Sequence, residues 1–120
     1  LVMDDEEIVR AVVKEMLLRL GHEVVLSENG EEAVARYREA MSSGRFFDLV
    51  IMDLTIPGGM GGAEAVREIH TLDPAAKVIV SSGYSNDPIM ANFKDYGFSS
   101  AVVKPYQLQE LAGVINPFLA

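Results

Sequence analysis

Hydrophobic and polar positions along the chain fall into short apolar runs separated by longer stretches with helical spacing. Each of the apolar runs has the length and the bounding turn residues of a β-strand. The predicted strands cover residues 1–3, 23–26, 50–53, 75–84 and 100–106. Because the stretches between them are long enough for helices, the pattern predicts a regular alternation of strand and helix.

Five helices are predicted between and after these strands. Apolar residues from Ile8 to Leu20 recur at helical spacing, and Gly21 marks the end of that helix. In the second helix, within residues 27–41, Asn29 is a candidate N-cap with Glu32 three residues later, as in a capping box. The other predicted helices cover residues 63–70, 87–97 with Pro88 in the first turn, and 107–119 with a candidate break at Pro117.

The alternation predicts an α/β fold, a doubly wound five-stranded parallel sheet with helices on both faces, because parallel strands need helical crossovers. The 120 residues suit a single domain. In such folds the ligand site lies beyond the carboxyl ends of the strands. Four of the predicted strands end in polar residues, namely Asp4 and Asp5, Asp53 with Thr55, Ser81 and Ser82, and Lys104.

The composition narrows the function. The net charge of −8 argues against binding of nucleic acid or of an anionic membrane surface by this domain. The absence of cysteine excludes disulfides, thiolate catalysis and cysteine-ligated zinc, and it fits a reducing cytoplasm. No apolar run is long enough to cross a bilayer. We therefore expect a cytoplasmic domain, although its parent protein can be anchored in a membrane.

The carboxylates at the strand ends indicate metal chemistry. Asp4, Asp5 and Asp53 are expected to converge at one edge of the sheet, where their mutual repulsion favours binding of a cation. Hard oxygen ligands suit Mg²⁺, with Mn²⁺ as a substitute. Lys104 adds a point charge for a carboxylate or phosphoryl oxygen, and a serine hydroxyl can donate to another oxygen. A carboxylate held in this way can attack phosphorus and form an acyl phosphate.

Four motifs at these strand ends resemble those of the response-regulator receiver domains of two-component signalling. They are the acidic pair Asp4 and Asp5, the acceptor Asp53, the pair Ser82 and Gly83, and the pair Lys104 and Pro105, in the order and at the spacing of that family. The resemblance extends from Leu1 to near Phe118. It implies a flavodoxin-like sheet of strand order 2-1-3-4-5 and a role in phosphorelay signal transduction.

The resemblance also implies roles for individual residues. Asp53 would accept a phosphoryl group from the phosphohistidine of a histidine kinase or phosphotransfer domain. The domain would catalyse this phosphorylation and a slow dephosphorylation itself. Asp5, Asp53 and the backbone carbonyl of Thr55 would bind Mg²⁺ directly, with Asp4 acting through water. Thr55 and Tyr84 occupy positions that tune the lifetime of the phosphoaspartate in the family.

The same resemblance defines the expected switch. Ser82 would be the hydroxyl that moves toward the phosphoryl group, and its rival Ser81 does not precede the small residue Gly83. The peptide bond between Lys104 and Pro105 is expected to be cis. The family often has an aromatic residue three positions before the lysine, where this chain has Ala101. Output would therefore pass through backbone shifts or other side chains of the fourth helix and fifth strand.

The resemblance also predicts the kind of protein to which this domain belongs. The stretches DLTIPGGMGG and SSGYSNDPIMANFKDYGFS resemble receivers attached to hybrid sensor histidine kinases. Together with the missing initiator methionine, they lead us to expect that residues 1–120 form one receiver domain excised from a longer chain. A weak homodimer through the face of the fourth and fifth helices is left open.

Two other functions are alternatives. A phosphohydrolase of the haloacid-dehalogenase type also combines an aspartate nucleophile, a Ser or Thr, a lysine and Mg²⁺. That family needs a second aspartate two residues after the nucleophile, where this chain has Thr55, and the chain lacks room for a cap domain. A degenerate receiver that serves only as an interaction module is disfavoured by the intact acidic pair, Asp53 and Lys104.

Overall fold

A computed structural model describes residues 1–83 and 86–119. Its strands are β1 (Val2–Met3), β2 (Leu26–Ser27), β3 (Val50–Asp53), β4 (Val78–Ser82) and β5 (Ser100–Val103). All neighbouring strands are parallel, and their order in the sheet is β2-β1-β3-β4-β5. The predicted doubly wound sheet and its strand order are confirmed.

Within the described residues, five α-helices connect the strands and follow the last one. They are α1 (Glu7–Arg19), α2 (Gly30–Ser42), α3 (Gly62–Leu72), α4 (Pro88–Ala91) and α5 (Leu108–Leu119). None of them, in the described part of the chain, is long and apolar enough to cross a membrane. The predicted break at Pro117 is wrong, because Pro117 lies inside α5 and the helix continues to Leu119.

The position of the second strand differs from the prediction. β2 comprises Leu26–Ser27 rather than residues 23–26. It forms only where β1 lies beside it, with Val2 opposite Leu26 and Met3 opposite Ser27. Apolar pattern alone does not reveal this register, because register depends on the partner strand.

The predicted helix over residues 87–97 is divided in two. The α4 helix ends at Asn92, whose side-chain amide donates to the Pro88 carbonyl at 3.0 Å. A short 3-10 helix (Phe93–Tyr96) follows and ends at Gly97 in the left-handed conformation. The Asn92 backbone N–H still donates to the Pro88 carbonyl at 3.0 Å, but the Asn92 backbone itself is not helical (φ −116°, ψ 37°), and the continuous helix is interrupted there.

The sheet separates two apolar layers because successive side chains of a strand point to opposite faces. One layer packs the sheet against α1 and α5, and it includes Val2, Ile51, Ile79, Val102, Val13, Leu17, Leu111 and Ile115. The other packs the sheet against α2, α3 and α4, and it includes Met3, Met52, Val80, Ala33, Tyr37, Val66, Ile69 and Met90. Both layers are buried, so the strand ends are held in fixed positions.

The N-cap of α2 allows a direct test of local helix chemistry. The Asn29 side chain accepts the Glu32 backbone N–H at 2.9 Å, whereas the Glu32 carboxylate pairs with Arg36 instead of completing a capping box. Replacing Asn29 by Ala should lower the free energy of unfolding by about 1 kcal/mol in chemical denaturation. The exposed Asn116→Ala change in α5 should alter it by less than about 0.5 kcal/mol. Equal losses in both variants would contradict this role for Asn29.

Candidate functional site

Three strands deliver one ion-pair cluster to the carboxyl edge of the sheet. Lys104, just after β5, places its Nζ 2.9 Å from Asp4 Oδ2 and 3.3 Å from Asp53 Oδ2. Asp4 follows β1, and Asp53 ends β3. Both carboxylates are largely buried, with side chains 4% and 10% exposed. The lysine therefore joins the ends of strands that are far apart in the chain.

A third carboxylate completes an acidic cluster. Asp4, Asp5 and Asp53 each offer one oxygen, and these oxygens all lie within 4.8 Å of one another. Asp5 is exposed, whereas Asp4 and Asp53 are buried. A set made only of carboxylate oxygens, open on one side, fits a hard divalent cation such as Mg²⁺. The convergence expected from the strand ends is present in the structure.

Burial of the Asp53 carboxylate is only partly offset by Lys104. Burial raises the pKa of Asp53 from 3.8 to about 6; the Asp4 charge also raises it, while Lys104 and the Thr55 backbone N–H lower it. Burial acts against the Lys104 ammonium, but Asp4 and Asp53 outweigh this and raise its pKa. An Asp53 pKa above the unfolded value means that ionised Asp53 disfavours folding at neutral pH. A bound cation would relieve this cost.

Arg10 is a site residue that the sequence analysis did not identify. Its guanidinium donates to the Asp4 backbone carbonyl at 2.8 Å and lies 3.6 Å from Glu28. The Asp4 side chain also accepts the Glu6 backbone N–H at 3.0 Å. These contacts fix the loop between β1 and α1.

The loop after Asp53 owes its path to glycine. A Cβ at Gly61 would collide with the Leu54 carbonyl oxygen, and one at Gly62 would lie 2.9 Å from the Asp53 carbonyl oxygen. The Gly62 backbone N–H donates to the Leu54 carbonyl at 3.1 Å. Thr55 lies at the exposed start of this loop. Only glycine allows the loop to fold back so closely on the end of β3.

The two serines of β4 have different environments. Ser81 is opposite Asp53 in the sheet, and its buried hydroxyl has no hydrogen-bond partner among the described residues. The Tyr106 phenol is near: burial raises the pKa of Tyr106 to about 12, and Ser81 opposes that shift, but the two hydroxyls do not reach hydrogen-bond geometry. Ser82 is also buried, and its carbonyl accepts the Lys104 backbone N–H at 2.8 Å.

The remaining predicted positions surround this edge. The bond between Lys104 and Pro105 is cis, as expected. Gly83 is exposed at the end of β4, and Ala101 is half-buried in β5. Tyr84 lies outside the described residues.

Comparison with known proteins identifies the class. The family model of the response regulator receiver domain matches residues 1–116. The chain therefore belongs to the response-regulator receiver domain family, whose members act in two-component signalling.

Particular relatives agree with this assignment. The chain is 34% identical over 120 residues to the chemotaxis protein CheY of Bacillus subtilis, covering 99% of this chain and 95% of that protein. It is 33% identical over 117 residues to the chemotaxis protein CheY of Thermotoga maritima, with coverage of 97% and 92%.

A solved structure shares both fold and sequence. The response regulator TrrA of Thermotoga maritima, crystallised in complex with Mg²⁺ and BeF, superimposes with a TM-score of 0.80 at 33% identity. The match covers 98% of this chain and 95% of that one. A related receiver thus binds Mg²⁺.

Two buried strand serines allow a matched test of the Ser81 environment. Ser81→Ala removes a buried hydroxyl without a partner and should leave the free energy of unfolding unchanged or raise it by up to about 1 kcal/mol. Ser27→Ala removes a hydroxyl that donates to the Val2 carbonyl at 3.3 Å, so it should lower that free energy by about 1 kcal/mol. Urea denaturation measures both. A larger loss for Ser81→Ala than for Ser27→Ala would show that Ser81 is hydrogen-bonded in solution.

Proposed function

We propose that this receiver domain accepts a phosphoryl group on Asp53 from the phosphohistidine of a histidine kinase or phosphotransfer domain. The observation that carries the proposal is the cluster at the sheet edge. Asp53 lies 3.3 Å from Lys104 and within 4.8 Å of two further carboxylates, where an anionic group and a cation can be held together. Membership in the receiver family supports the same function.

The transfer itself is a displacement at phosphorus. An Asp53 carboxylate oxygen attacks the phosphorus, the P–N bond of phosphohistidine breaks, and the imidazole leaves with the electron pair of that bond and then takes up a proton. The product is an acyl phosphate on Asp53. The Lys104 ammonium, already beside the acceptor oxygen, stabilises charge on a phosphoryl oxygen. Hydrolysis of this acyl phosphate by water would reset the domain.

The acidic cluster fits Mg²⁺, with Mn²⁺ as a substitute. As the family resemblance implies, Asp5, Asp53 and the backbone carbonyl of Thr55 would hold the ion, and Asp4 would act through water. When bound, the ion neutralises charge on the acceptor and the phosphoryl oxygens. The complex of TrrA with Mg²⁺ and BeF supports this assignment. The exposure of Asp5 leaves that carboxylate accessible for an ion arriving from solvent.

Switching would begin at Ser82, next to the small and exposed Gly83, as its hydroxyl moves toward the phosphoryl group. The usual aromatic partner is absent at Ala101. We assign this role to neither Phe98 nor Tyr106, whose rings are buried in the two apolar layers. We therefore assign the output to backbone shifts and to other side chains of the α4 and β5 region.

The receiver domain can belong either to a hybrid histidine kinase or to a stand-alone regulator. The resemblance of the loop after Asp53 and of the segment after β4 to hybrid sensor kinases supports a receiver in a longer, cytoplasmic or membrane-anchored histidine kinase. A stand-alone regulator of the CheY type is the alternative, since the CheY relatives match over almost their whole length. The full reading frame of the gene distinguishes the two. Weak dimerisation through α4 and α5 remains a prediction.

Thr55 argues against a phosphohydrolase of the haloacid-dehalogenase type. A threonine hydroxyl has no accessible ionisation near neutral pH, so it cannot replace the aspartate general acid of those enzymes. The degenerate receiver is disfavoured because Asp4, Asp53 and Lys104 are all present and in contact.

Phosphorylation with a small phosphodonor tests the acceptor directly. With acetyl phosphate and Mg²⁺, intact-mass spectrometry should detect one added phosphoryl group on the wild type and none on Asp53→Asn, because only Asp53 forms the acyl phosphate. The control Asp95→Asn, at an exposed aspartate of the 3-10 helix, should be labelled like the wild type.

Full labelling of Asp53→Asn would show that another residue is the acceptor. Sustained turnover of a general phosphatase substrate such as p-nitrophenyl phosphate by the wild type would favour the hydrolase instead.

A further inference from the structure

The loop that follows Asp53 is attached to the start of α2 by two short hydrogen bonds. The Met60 backbone N–H donates to Glu31 Oε1 at 2.7 Å. The Met60 carbonyl accepts the Gly30 backbone N–H, also at 2.7 Å. Both partners belong to the first turn of α2, so one residue of the loop is fixed through its N–H and its carbonyl together. We call this pair of bonds the Met60 anchor.

Close packing also holds Met60 against the first turn of α2. A Cβ at Gly30 would lie 2.6 Å from Met60 Cγ, so the helix and loop backbones approach as closely as glycine permits. The Met60 side chain packs, partly buried, against the apolar layer below α2 and α3. Asn29 caps the same helical turn through the Glu32 N–H at 2.9 Å. The anchor is therefore built on a rigid part of the fold.

The segment that the anchor holds contains the proposed site. Between Asp53 and Met60 lie Thr55, whose backbone N–H acts on the Asp53 carboxylate, and the exposed residues Gly58 and Gly59. Glycine backbones lose more conformational entropy on ordering than other residues. Ile56, next to Thr55, is buried, and its carbonyl accepts the Gly59 N–H at 3.2 Å. The Met60 anchor adds a fixed point after the glycines, and without it this segment samples more conformations.

We propose that Glu31 is a positioning residue, which holds the loop through the Met60 N–H so that the Thr55 backbone faces the acidic cluster. The proposal rests on the proposed function only for its consequence, the binding of Mg²⁺ next to Asp53. Glu31 itself contacts neither the ion nor the phosphoryl group. Its effect reaches the site through the loop backbone.

The neighbouring Glu32 offers a matched control. It carries the same charge in the same turn of α2, but its carboxylate pairs with Arg36 at 3.3 Å and does not reach the loop. Glu32→Ala therefore removes one negative charge near the site and leaves the Met60 anchor in place. Glu31→Gln removes the charge of Glu31 and keeps a side-chain oxygen that can accept the Met60 N–H.

The experiment compares Glu31→Ala, Glu31→Gln and Glu32→Ala with the wild type in two measurements. The first is hydrogen exchange of the Met60 amide by NMR in metal-free buffer. The second is the dissociation constant for Mg²⁺ by calorimetry, with the Mg²⁺ dependence of acetyl phosphate labelling alongside. Glu31→Ala should speed Met60 exchange and weaken Mg²⁺ binding by about three- to tenfold relative to Glu32→Ala, the effect of losing a charge-assisted hydrogen bond. Glu31→Gln should match Glu32→Ala in the exchange rate of the Met60 amide and in the dissociation constant for Mg²⁺. The labelling rate at saturating Mg²⁺ should change little in all three variants.

Two results would overturn the proposal. If Glu31→Ala and Glu32→Ala weaken Mg²⁺ binding equally, only the lost charge matters. If Met60 exchange is unchanged in Glu31→Ala, the anchor does not hold the loop in solution. A wild type that binds Mg²⁺ without being labelled on Asp53 would instead refute the proposed function and leave both Glu31 comparisons valid.

Discussion

The contact of one lysine with two buried carboxylates is the interaction on which the rest of the site depends. Lys104 lies within 3.3 Å of both Asp4 and Asp53, although 100 residues separate it from Asp4. One positive charge cannot balance two buried carboxylates and the exposed Asp5 beside them. The raised pKa of Asp53 reflects chiefly the burial of its carboxylate, which Lys104 offsets only in part and the Asp4 charge reinforces. The fold thus keeps an electrostatically unfavourable cluster that a bound cation would stabilise.

The sheet explains how such a cluster persists. β1 and β3 are central strands, each packed on both faces, so their carboxyl ends cannot move apart without disrupting buried side chains. Glycines at 61 and 62 then turn the chain back directly over the end of β3. The apolar layers therefore provide the stability, and the strand ends carry the charged chemistry. This division is common in α/β proteins, where ligands bind beyond the carboxyl ends of the strands.

Much of this could be predicted from the sequence because it depends on local pattern. The alternation of strands and helices predicts the parallel sheet, and the polar residues after the strands predict which side chains converge. The contacts of Arg10 with Asp4 and Glu28, and of Glu31 with Met60, could not be predicted in this way. Each joins residues of different elements, and neither periodicity nor a motif encodes the path of a loop across the surface. The offset of β2 has the same origin, since its partner strand decides its register.

The division of the predicted fourth helix is a further difference. The Asn92 backbone leaves the helical conformation although the helical pattern of the sequence continues through it. The Ser81 hydroxyl, which lies opposite Asp53 and has no partner within residues 1–83 and 86–119, could not be predicted either, because the sequence shows Ser81 only as part of a buried strand. Sequence pattern therefore predicts where the charged cluster lies better than it predicts the contacts that individual side chains make around it.

The central claim is that the buried Asp53 carboxylate, whose burial Lys104 offsets only in part, destabilises the metal-free fold and that a divalent cation relieves this cost. The most direct measurement is the free energy of unfolding of the wild type and Asp53→Asn at pH 8, with EDTA or with Mg²⁺. In EDTA, Asp53→Asn should be more stable by about 1–2 kcal/mol, since a carboxyl with a raised pKa opposes folding when ionised. This advantage should shrink as the pH falls from about 6 toward 4, where Asp53 is protonated in the folded state. Mg²⁺ should stabilise the wild type much more than the variant. A less stable Asp53→Asn in EDTA, or an equal response of both proteins to Mg²⁺, would contradict the claim.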